Sequence, residues 1–519
     1  MASTLIPECL IPIFKYLEDD PVLLFPCILV NRCWCQTAIP ILWSNPFSLT
    51  KFDSRYGSRR MFSLINTFIS TLSQESKNTL ITHEIKIPEV ANLTFDYPSF
   101  LRVIDMLCID LAVKDWFAHP NYGKISYTST QIKLLLSILT THLLHNSSFI
   151  DTLKISHTTI IKTTGTTSDI ILDIIHQIPK TTKNCFSNLK EFQYNSDTPI
   201  MEDLFLKLSH ITNSIERICF TIYKNMTISA LTLLKTQRNL KELTIQYHIM
   251  YDILIDQFAI STFLDKSNTL THLTLEKLFF PLNYLENFKT LQELSLTDCG
   301  YHDYNINDWL TFSLITLPNL KKLVYKNPNP IYLDIFAKFI SNTNINYHFG
   351  SKLSQIIIQC CKFQNPDNSN LLLSSISSNC PLLSFYSGPI SSKNTLELSQ
   401  LLISCPFIKN LRLHPLTSIC SLNNTLIPEI RSSFDPLLLE LCKAPLLHLD
   451  TLTIVHGWKI QSNIFEDFLK VRQNNGNIDG ILRGFNFYWN NTVVIGDLVK
   501  ICEEYPDIIK CYGEFNGII

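Results

Sequence analysis

The chain has 519 residues, a mass of 59.7 kDa and a formal net charge of −2. Hydrophobic residues make up 46% of it and charged residues 17%, which excludes an intrinsically disordered chain. Because compact single domains seldom grow beyond about 250–300 residues, we expect two or more units or one solenoid. The sequence has no lysine- or arginine-rich block, so it predicts no nucleic-acid partner.

The compartment can also be inferred from the sequence. Glu8, Glu18, Asp19 and Asp20 stand where a signal peptide would be apolar or neutral. The sixteen cysteines include no C-x-x-C pair and no histidine partners at zinc-finger spacing, which favours free thiols in a reducing compartment. No charge-free run of about 18 apolar residues exists, so we predict no membrane span and no membrane partner. We therefore expect a cytoplasmic or nuclear protein.

Residues 1–50 contain three short helix-length apolar patterns separated by turn signals. Pro7 and Glu8 suit the first turn of a helix. The stripe that follows has the spacing i, i+3, i+4, i+7: Leu10, Ile13, Phe14 and Leu17. Three such helices cannot bury their own apolar side chains, so they either dock on the rest of the chain or bind a partner.

The stretch IPECLIPIFKYL, followed by LVNRCWCQTAIPILW, resembles an F-box. Ile6 stands where the family usually has leucine, and Pro26 lies inside the expected second helix. The resemblance implies that this segment binds a Skp-type adaptor and, through it, a cullin. By position it implies adaptor contacts from Pro7, Leu10, Ile13, Phe14, Leu17, Leu24, Val30 and Trp34. For each of these residues, a place in the domain's own core is an equal alternative.

Residues 51–149 have less regular patterns. Residues 59–72, 99–117 and 133–145 have helical apolar spacing, and residues 83–87 (HEIKI) fit an early strand. We interpret this segment as a helical linker with divergent capping repeats.

One hexamer, apolar-x-x-apolar-x-apolar, recurs through residues 150–519. It begins at Ile150, Leu189, Ile215, Leu240, Leu270, Leu291, Leu320, Leu353, Leu382 (or the overlapping Leu383), Ile408, Leu449 and Leu482. Hexamer positions four and six share one face of a strand and should point inward. Runs with helical spacing, such as residues 201–211 and 332–343, lie between hexamers. The long step from Ile408 to Leu449 implies an insertion or an unrecognised unit.

A strand plus a helix in each repeat predicts an α/β fold, with residues 150–519 forming an irregular solenoid. The parallel sheet would line the concave side and the helices the convex side. The hexamers resemble leucine-rich repeats over their first six positions, and Cys299 and Asn490 also fit the family's ninth position. The small all-α F-box-like domain would precede this solenoid.

No nucleotide-binding, metalloprotease or hydrolase motif is present, so we predict no enzymatic activity, no catalytic residue, no metal and no cofactor. His272 and His414 are the histidines placed closest to the strands, and each is expected to be a polar surface residue. The outward strand positions form a predicted target-binding face: Arg217, Glu242, His272, Glu293, Lys322, Arg412 and Tyr488. Simple exposure to solvent is the commoner role for any one of them.

The resemblance to F-box proteins implies the substrate receptor of a Skp–cullin–F-box ubiquitin ligase, whose solenoid would hold an unidentified protein target. The first alternative is an interaction scaffold without a ligase role. The second is an enzyme whose site has no recognisable motif.

Overall fold

The protein is described here by a computed structural model. The structure describes residues 5–18, 20–51, 57–88, 93–119, 127–156, 185–195, 202–222, 227–247, 257–278, 280–299, 306–327, 331–343, 351–360, 363–364, 368–416, 432–443, 449–454, 458–474 and 484–487.

The chain forms two compact units, residues 1–242 and 243–519. In each unit, parallel strands alternate with helices, as in a leucine-rich-repeat-like solenoid. The α/β fold class predicted from the repeats is therefore confirmed. The predicted domain limits of 1–50, 51–149 and 150–519 divide the chain by sequence character, and they stay a prediction.

The first unit begins with helices and then alternates strands and helices. Its helices are α1 (Pro7–Tyr16), α2 (Pro21–Leu24), α3 (Arg32–Leu42), α4 (Gly57–Thr71), α5 (Gln74–Thr82), α6 (Met106–Phe117), α7 (Ser129–Asn146), α8 (Glu202–Ile211) and α9 (Ile228–Thr236). Its strands are β1 (Val103–Asp105), β2 (Thr152–Ser156), β3 (Glu191–Asn195) and β4 (Arg217–Ile222), and β5 (Glu242–Tyr247) begins at its last residue. β1 to β4 pair in sequence order, all in parallel.

The second unit continues the alternation. Its strands are β6 (His272–Glu276), β7 (Glu293–Thr297), β8 (Lys322–Asn327), β9 (Ile331–Tyr332), β10 (Gln355–Cys360), β11 (Phe363–Gln364), β12 (Phe385–Ile390), β13 (Asn410–Pro415), β14 (Ser432–Ser433), β15 (Thr451–Ile454), β16 (Trp458–Lys459) and β17 (Gly484–Phe487). Its helices are α10 (Gln257–Leu264), α11 (Ile306–Leu314), α12 (Leu333–Asn342), α13 (Ser369–Asn379), α14 (Thr395–Ser404), α15 (Asp435–Lys443) and α16 (Ser462–Asn474).

Eight of these strands form one parallel set in the order β6-β7-β8-β10-β12-β13-β15-β17. Two short parallel pairs, β9 with β11 and β14 with β16, lie just before helices of successive repeats. Because β13 pairs directly with β15, the long step from Ile408 to Leu449 is an insertion rather than a missed repeat.

The hexamers predict the strands with the correct register, since each strand begins at position three of its hexamer. At the hexamer of β7, Leu291, Leu294 and Leu296 are buried. In the first unit, Phe192 and Tyr194 contact Phe205 of α8, with ring centroids 6.0 and 5.1 Å apart. In the second unit, Tyr325 contacts Phe336 of α12 at 4.9 Å. Positions four and six therefore face the helices, as predicted.

Within each unit, a repeated backbone arrangement connects successive repeats. The carbonyl at hexamer position two accepts hydrogen bonds from the N–H groups at positions two and three of the following hexamer. Lys190 O, for example, accepts from Glu216 N at 2.8 Å and from Arg217 N at 2.9 Å. Each repeat thus satisfies the polar backbone of its neighbour, so the array is stable as an array.

The structure corrects three assignments made from sequence. Residues 99–117 were predicted as one helix, but β1 precedes α6 in this range. Because Arg102 O accepts from Asp151 N at 2.8 Å, as a position-two carbonyl would, Leu101–Met106 is a further hexamer that precedes those predicted. The ninth hexamer begins at Leu383, which is fully buried, and not at Leu382, which is 51% exposed. The strand predicted for residues 83–87 is wrong because Glu84, at a positive φ of 61°, belongs to the turn that ends α5.

Position six of the β12 hexamer is Gly388, where the other hexamers carry a large apolar residue. The ring of Tyr386, at position four, is fully buried and fills this space. A Cβ at Gly388 would lie 2.6 Å from Cζ and 2.9 Å from Cε2 of that ring. The phenolic hydroxyl donates to Pro389 O at 3.2 Å. The ring of Tyr386 therefore also occupies the space that a side chain at position six would fill.

The turn after a strand follows one pattern at two neighbouring repeats. Lys277 and Asp298 each stand at hexamer position eight and have φ values of 55° and 53°. Cys299, next in the chain, donates through its thiol to Leu275 O of the preceding repeat at 3.1 Å and to Thr297 O at 3.3 Å. Burial raises the pKa of this thiol to about 12, so it remains a protonated donor. The ninth-position role predicted for Cys299 is confirmed, whereas Asn490 lies outside the described residues.

We expect Cys299→Ala to lower the free energy of unfolding by about 1 kcal/mol, because two buried carbonyl groups lose a weak donor. Cys299→Asn, which retains a donor there, should cost less. Urea unfolding followed by circular dichroism measures both variants. An alanine variant as stable as the wild type would mean that the thiol contributes nothing to the turn.

Candidate functional site

The three N-terminal helices form a small domain with its own core. Leu10, Phe14, Leu24 and Ala38 are buried together, and the indole of Trp34 packs edge-on against Phe14 at 5.3 Å. A core of this size contributes little stability by itself.

Capping and proline residues set the lengths of these helices. The side chain of Asn31 accepts from Trp34 N at 2.9 Å and starts α3. Asp20 accepts from Val22 N at 3.1 Å and starts α2 in the same way. α2 ends at Leu24, and a 3₁₀ turn over Phe25–Leu29 contains Pro26, which lacks the N–H that a longer α-helix would use.

This domain exposes an unusual amount of apolar surface. Ten of the 21 exposed large apolar side chains among the described residues lie within residues 5–30. They are Leu5, Ile6, Ile11, Ile13, Tyr16, Val22, Leu23, Phe25, Leu29 and Val30. We call this set the N-terminal apolar surface. Exposed apolar side chains at this density typically mark a site of protein association.

The predicted adaptor residues separate into three groups by burial. Leu10, Phe14 and Leu24 are buried in the domain core, which is the alternative role that the sequence left open. Leu17 and Trp34 are partly buried against that core. The exposed members are Pro7, Ile13 and Val30. Whether any of them contacts an adaptor stays a prediction.

The end of this domain is joined to the first repeat by the same backbone arrangement that joins the repeats. Ser44 O accepts from Arg102 N at 2.9 Å and from Val103 N at 3.2 Å, as a position-two carbonyl would. The buried Ser44 hydroxyl is 3.2 Å from Glu18 Oε1 at the end of α1. The ring of Trp43 packs at a tilt against that of Tyr97, with centroids 4.0 Å apart. The helical domain is therefore the first layer of its unit, with a fixed orientation on β1, and not a tethered module.

The outward face, formed by hexamer positions three, five and seven, carries paired charges in the first unit. Arg217 Nη2 donates to Glu191 Oε2 at 2.8 Å, and Lys154 Nζ lies 3.6 Å from Glu191 Oε1. Burial raises the pKa of Glu191, but the hydrogen bond from Arg217 and the charge of Lys154 outweigh it and hold the pKa below its usual range. The same hydrogen bond raises the pKa of Arg217. The predicted target residue Glu242 contributes a further negative charge close to Arg217.

A similar group lies on the outward face of the second unit. Glu293 is paired with His272 at 3.4 Å on one side and with Lys322 at 3.0 Å on the other. The three side chains are 35–39% exposed, so each pair contributes at most about 1 kcal/mol. His272 thus lies on the surface, as predicted.

The other residues predicted for the target-binding face, and the predicted surface residue His414, differ in exposure. Arg412 is partly buried on β13, and Tyr488 lies outside the described residues. His414 is 7% exposed, with Nε2 3.0 Å from Ser387 Oγ, so its prediction as a surface residue is wrong. The hexamer pattern places it on the outward face but gives no information about what covers that face.

Metal sites, disulfides and membrane spans each require particular side chains or helices. Among the described residues, no cluster of three or more His, Cys, Asp or Glu side chains could hold a metal ion. Eleven of the cysteines in the described ranges are free thiols. Within the described ranges, no helix has the length and apolar character needed to cross a bilayer.

No protein-family model matches this chain, and no curated protein matches it. Thirty-nine solved chains are similar in structure. One is from the "Crystal structure of TLR13-ssRNA13 complex", with a TM-score of 0.29 and 16% identity over 63% of this chain and 50% of that chain. This chain thus spans about half the length of that protein. Because the superposition is weak, the assignment of a leucine-rich-repeat-like fold rests on the strands, helices and register described above.

Proposed function

We propose that the protein is the substrate-recognition subunit of a Skp–cullin–F-box ubiquitin ligase. The N-terminal apolar surface on a domain of F-box-like sequence is the observation that carries this proposal. Burying one leucine or phenylalanine side chain in an interface contributes roughly 1.5–3 kcal/mol. A partner that covers several of the ten residues would gain enough free energy for stable association.

The repeats would hold the target protein. Their outward faces carry polar and charged side chains on rigid strands, which suits recognition of another protein surface. The chain would act by positioning: a target bound to the repeats stays near the conjugating enzyme that the cullin recruits. This raises the effective concentration of target lysines and needs no catalytic residue in this chain.

The connection at Ser44 supports this mechanism. Because the helical domain and β1 share backbone hydrogen bonds, an adaptor bound to this domain would keep a fixed orientation relative to the first repeat. A flexible linker would lower the effective concentration instead.

The adaptor contact can be tested with charge placed on the N-terminal apolar surface. We expect Val30→Asp and Ile13→Asp in the full chain to weaken binding of a purified Skp-type adaptor at least about tenfold, because each buries a carboxylate in an apolar interface. Both residues are about half exposed, so the fold should survive. Ile228→Asp on α9 is the matched control, since Ile228 is 74% exposed and lies away from this surface.

Surface plasmon resonance measures the adaptor affinity, and circular dichroism confirms that each variant is folded. Equal adaptor affinity of Val30→Asp, Ile13→Asp and the wild type would contradict the proposal, as would no binding by the wild type. Adaptor binding without recruitment of a cullin would instead favour the interaction scaffold.

A further inference from the structure

The charged residues on the outward face of the second unit change at β8. From β8 through β10 and β12 to β13, hexamer positions three, five and seven comprise twelve residues, and none carries a carboxylate. Lys322, Lys326 and Arg412 are the cationic residues among them. In the first unit, the corresponding positions pair Arg217 with Glu191. The nearest carboxylate on the neighbouring strand is Glu293, which Lys322 shares with His272.

Apolar side chains lie between these cations. Val324 and Ile357 are paired in register on β8 and β10, and Phe385 on β12 pairs with Gln355. Val324 is buried, and Ile357 and Phe385 are partly buried. Lys326 and Gln359, at position seven, are exposed. The surface is thus an apolar floor with positive charge at its edges.

The dimensions of this surface suit a short extended segment. Lys322 and Arg412 stand three strands apart, which is roughly 14 Å at a strand spacing of about 4.8 Å. Lys322 and Lys326 are four residues apart along one strand, which is roughly 13 Å. An extended peptide of four or five residues covers either span.

We propose that the β8–β13 face binds an acidic peptide segment that carries a large apolar side chain. The apolar residue would lie on the partly buried Ile357 and Phe385, beside the buried Val324, and its acidic neighbours would reach Lys322, Lys326 and Arg412. Opposite charge favours such a partner, and the missing carboxylates remove the repulsion that would reject it. Three separated cations fit a peptide better than a nucleic acid, which calls for a continuous basic stripe. The inference rests on the proposed function, because it specifies the target class that the repeats recognise.

The test uses the folded full-length chain and a randomised 12-residue peptide display library, without adaptor or cullin. We expect the selected peptides to be rich in Asp and Glu and to contain Leu, Ile or Phe. Binding of the best labelled peptide, measured by fluorescence anisotropy, should weaken at least about fivefold in Lys326→Glu and in Ile357→Thr. Lys338→Glu is the matched control, since Lys338 is exposed on helix α12 of the same unit.

Selected peptides without acidic enrichment would overturn the proposal, and so would equal binding by Lys326→Glu and Lys338→Glu. A labelled single-stranded 12-nucleotide DNA that competes for this face with higher affinity would overturn it in favour of nucleic acid. Each outcome is independent of the adaptor experiment: loss of adaptor binding with intact peptide binding would reject only the ligase role.

Discussion

Gly388→Leu is expected to destabilise the second unit by about 3 kcal/mol, although it restores the apolar residue that other hexamers carry at position six. The new side chain would have to displace the buried ring of Tyr386, whose Cζ lies 2.6 Å from the position of the first added carbon. Overpacking of a closed core typically costs about 1–3 kcal/mol, and a rigid ring places this site at the upper end. Urea unfolding followed by tryptophan fluorescence measures the change.

The double variant Tyr386→Leu/Gly388→Leu provides the decisive comparison. It recreates the pair found in β13, where Leu411 and Leu413 occupy positions four and six. Tyr386→Leu alone should also be destabilising, because it leaves an unfilled volume. If the ring of Tyr386 occupies the space at position six, the double variant will cost at least about 1 kcal/mol less than the sum of the single variants. Additive costs would reject this account.

The free energy of unfolding of the first unit is expected to fall by about 3 kcal/mol as the pH falls from 6.5 to 4, because of His142 on α7. Burial lowers the pKa of His142 to about 4, and the charges of His145 and Lys77 act in the same direction, against Asp96. The unfolded chain takes up a proton near pH 6.5, whereas the folded protein does so only near pH 4. The contribution of His142 to stability is therefore fully present above pH 6.5 and is lost as the pH falls from 6.5 to 4. Below pH 4 it no longer changes.

Hydrogen bonds around the ring support the neutral form. The Thr71 hydroxyl donates to Phe68 O at 2.7 Å, so at its 2.8 Å contact with His142 Nε2 it accepts. Asn146 Nδ2 lies 3.1 Å from Nδ1 and 2.8 Å from His142 O, which fixes the amide as a donor to Nδ1. A proton on Nδ1 would place two donors against each other.

His142→Gln is the control for this pH dependence. It keeps a polar side chain on α7 but cannot titrate between pH 4 and 6.5. Hydrogen exchange of the α4 and α7 amides at pH 4.5, 5.5 and 6.5 measures the local unfolding free energy. A slope in the variant equal to that of the wild type would assign the pH dependence to other groups.

Much of the repeat architecture could be predicted from the sequence, because strand periodicity acts within six residues. Leucines at positions one, four and six determine which side of a strand is inward, and burial of Leu291, Leu294 and Leu296 follows from that alternation. Helical spacing predicted α8 and α12 to within one residue at each end. The hexamer Leu101–Met106 fits the same template but was assigned to a helix, because α6 follows it without a turn signal.

The candidate sites were harder to predict because they depend on contacts between distant residues. The stripe of α1 contains Phe14 and Ile13, and only packing against Trp34 of α3 decides that the first is core and the second is exposed. The role of the Ser44 carbonyl depends on β1, almost sixty residues away in the chain. No local pattern carries that information.

The sequence by itself determined the repeating strand, the inward leucines and the family that the first fifty residues resemble, since these depend on side-chain order over short distances. Only the tertiary structure decided which apolar residues stay exposed, which carboxylates are neutralised and which neighbouring strands carry no carboxylate on their outward face. The pairing of Glu191 with Arg217, and the acid-free face from β8 to β13, arise because parallel strands bring side chains more than twenty residues apart to within about 5 Å of each other.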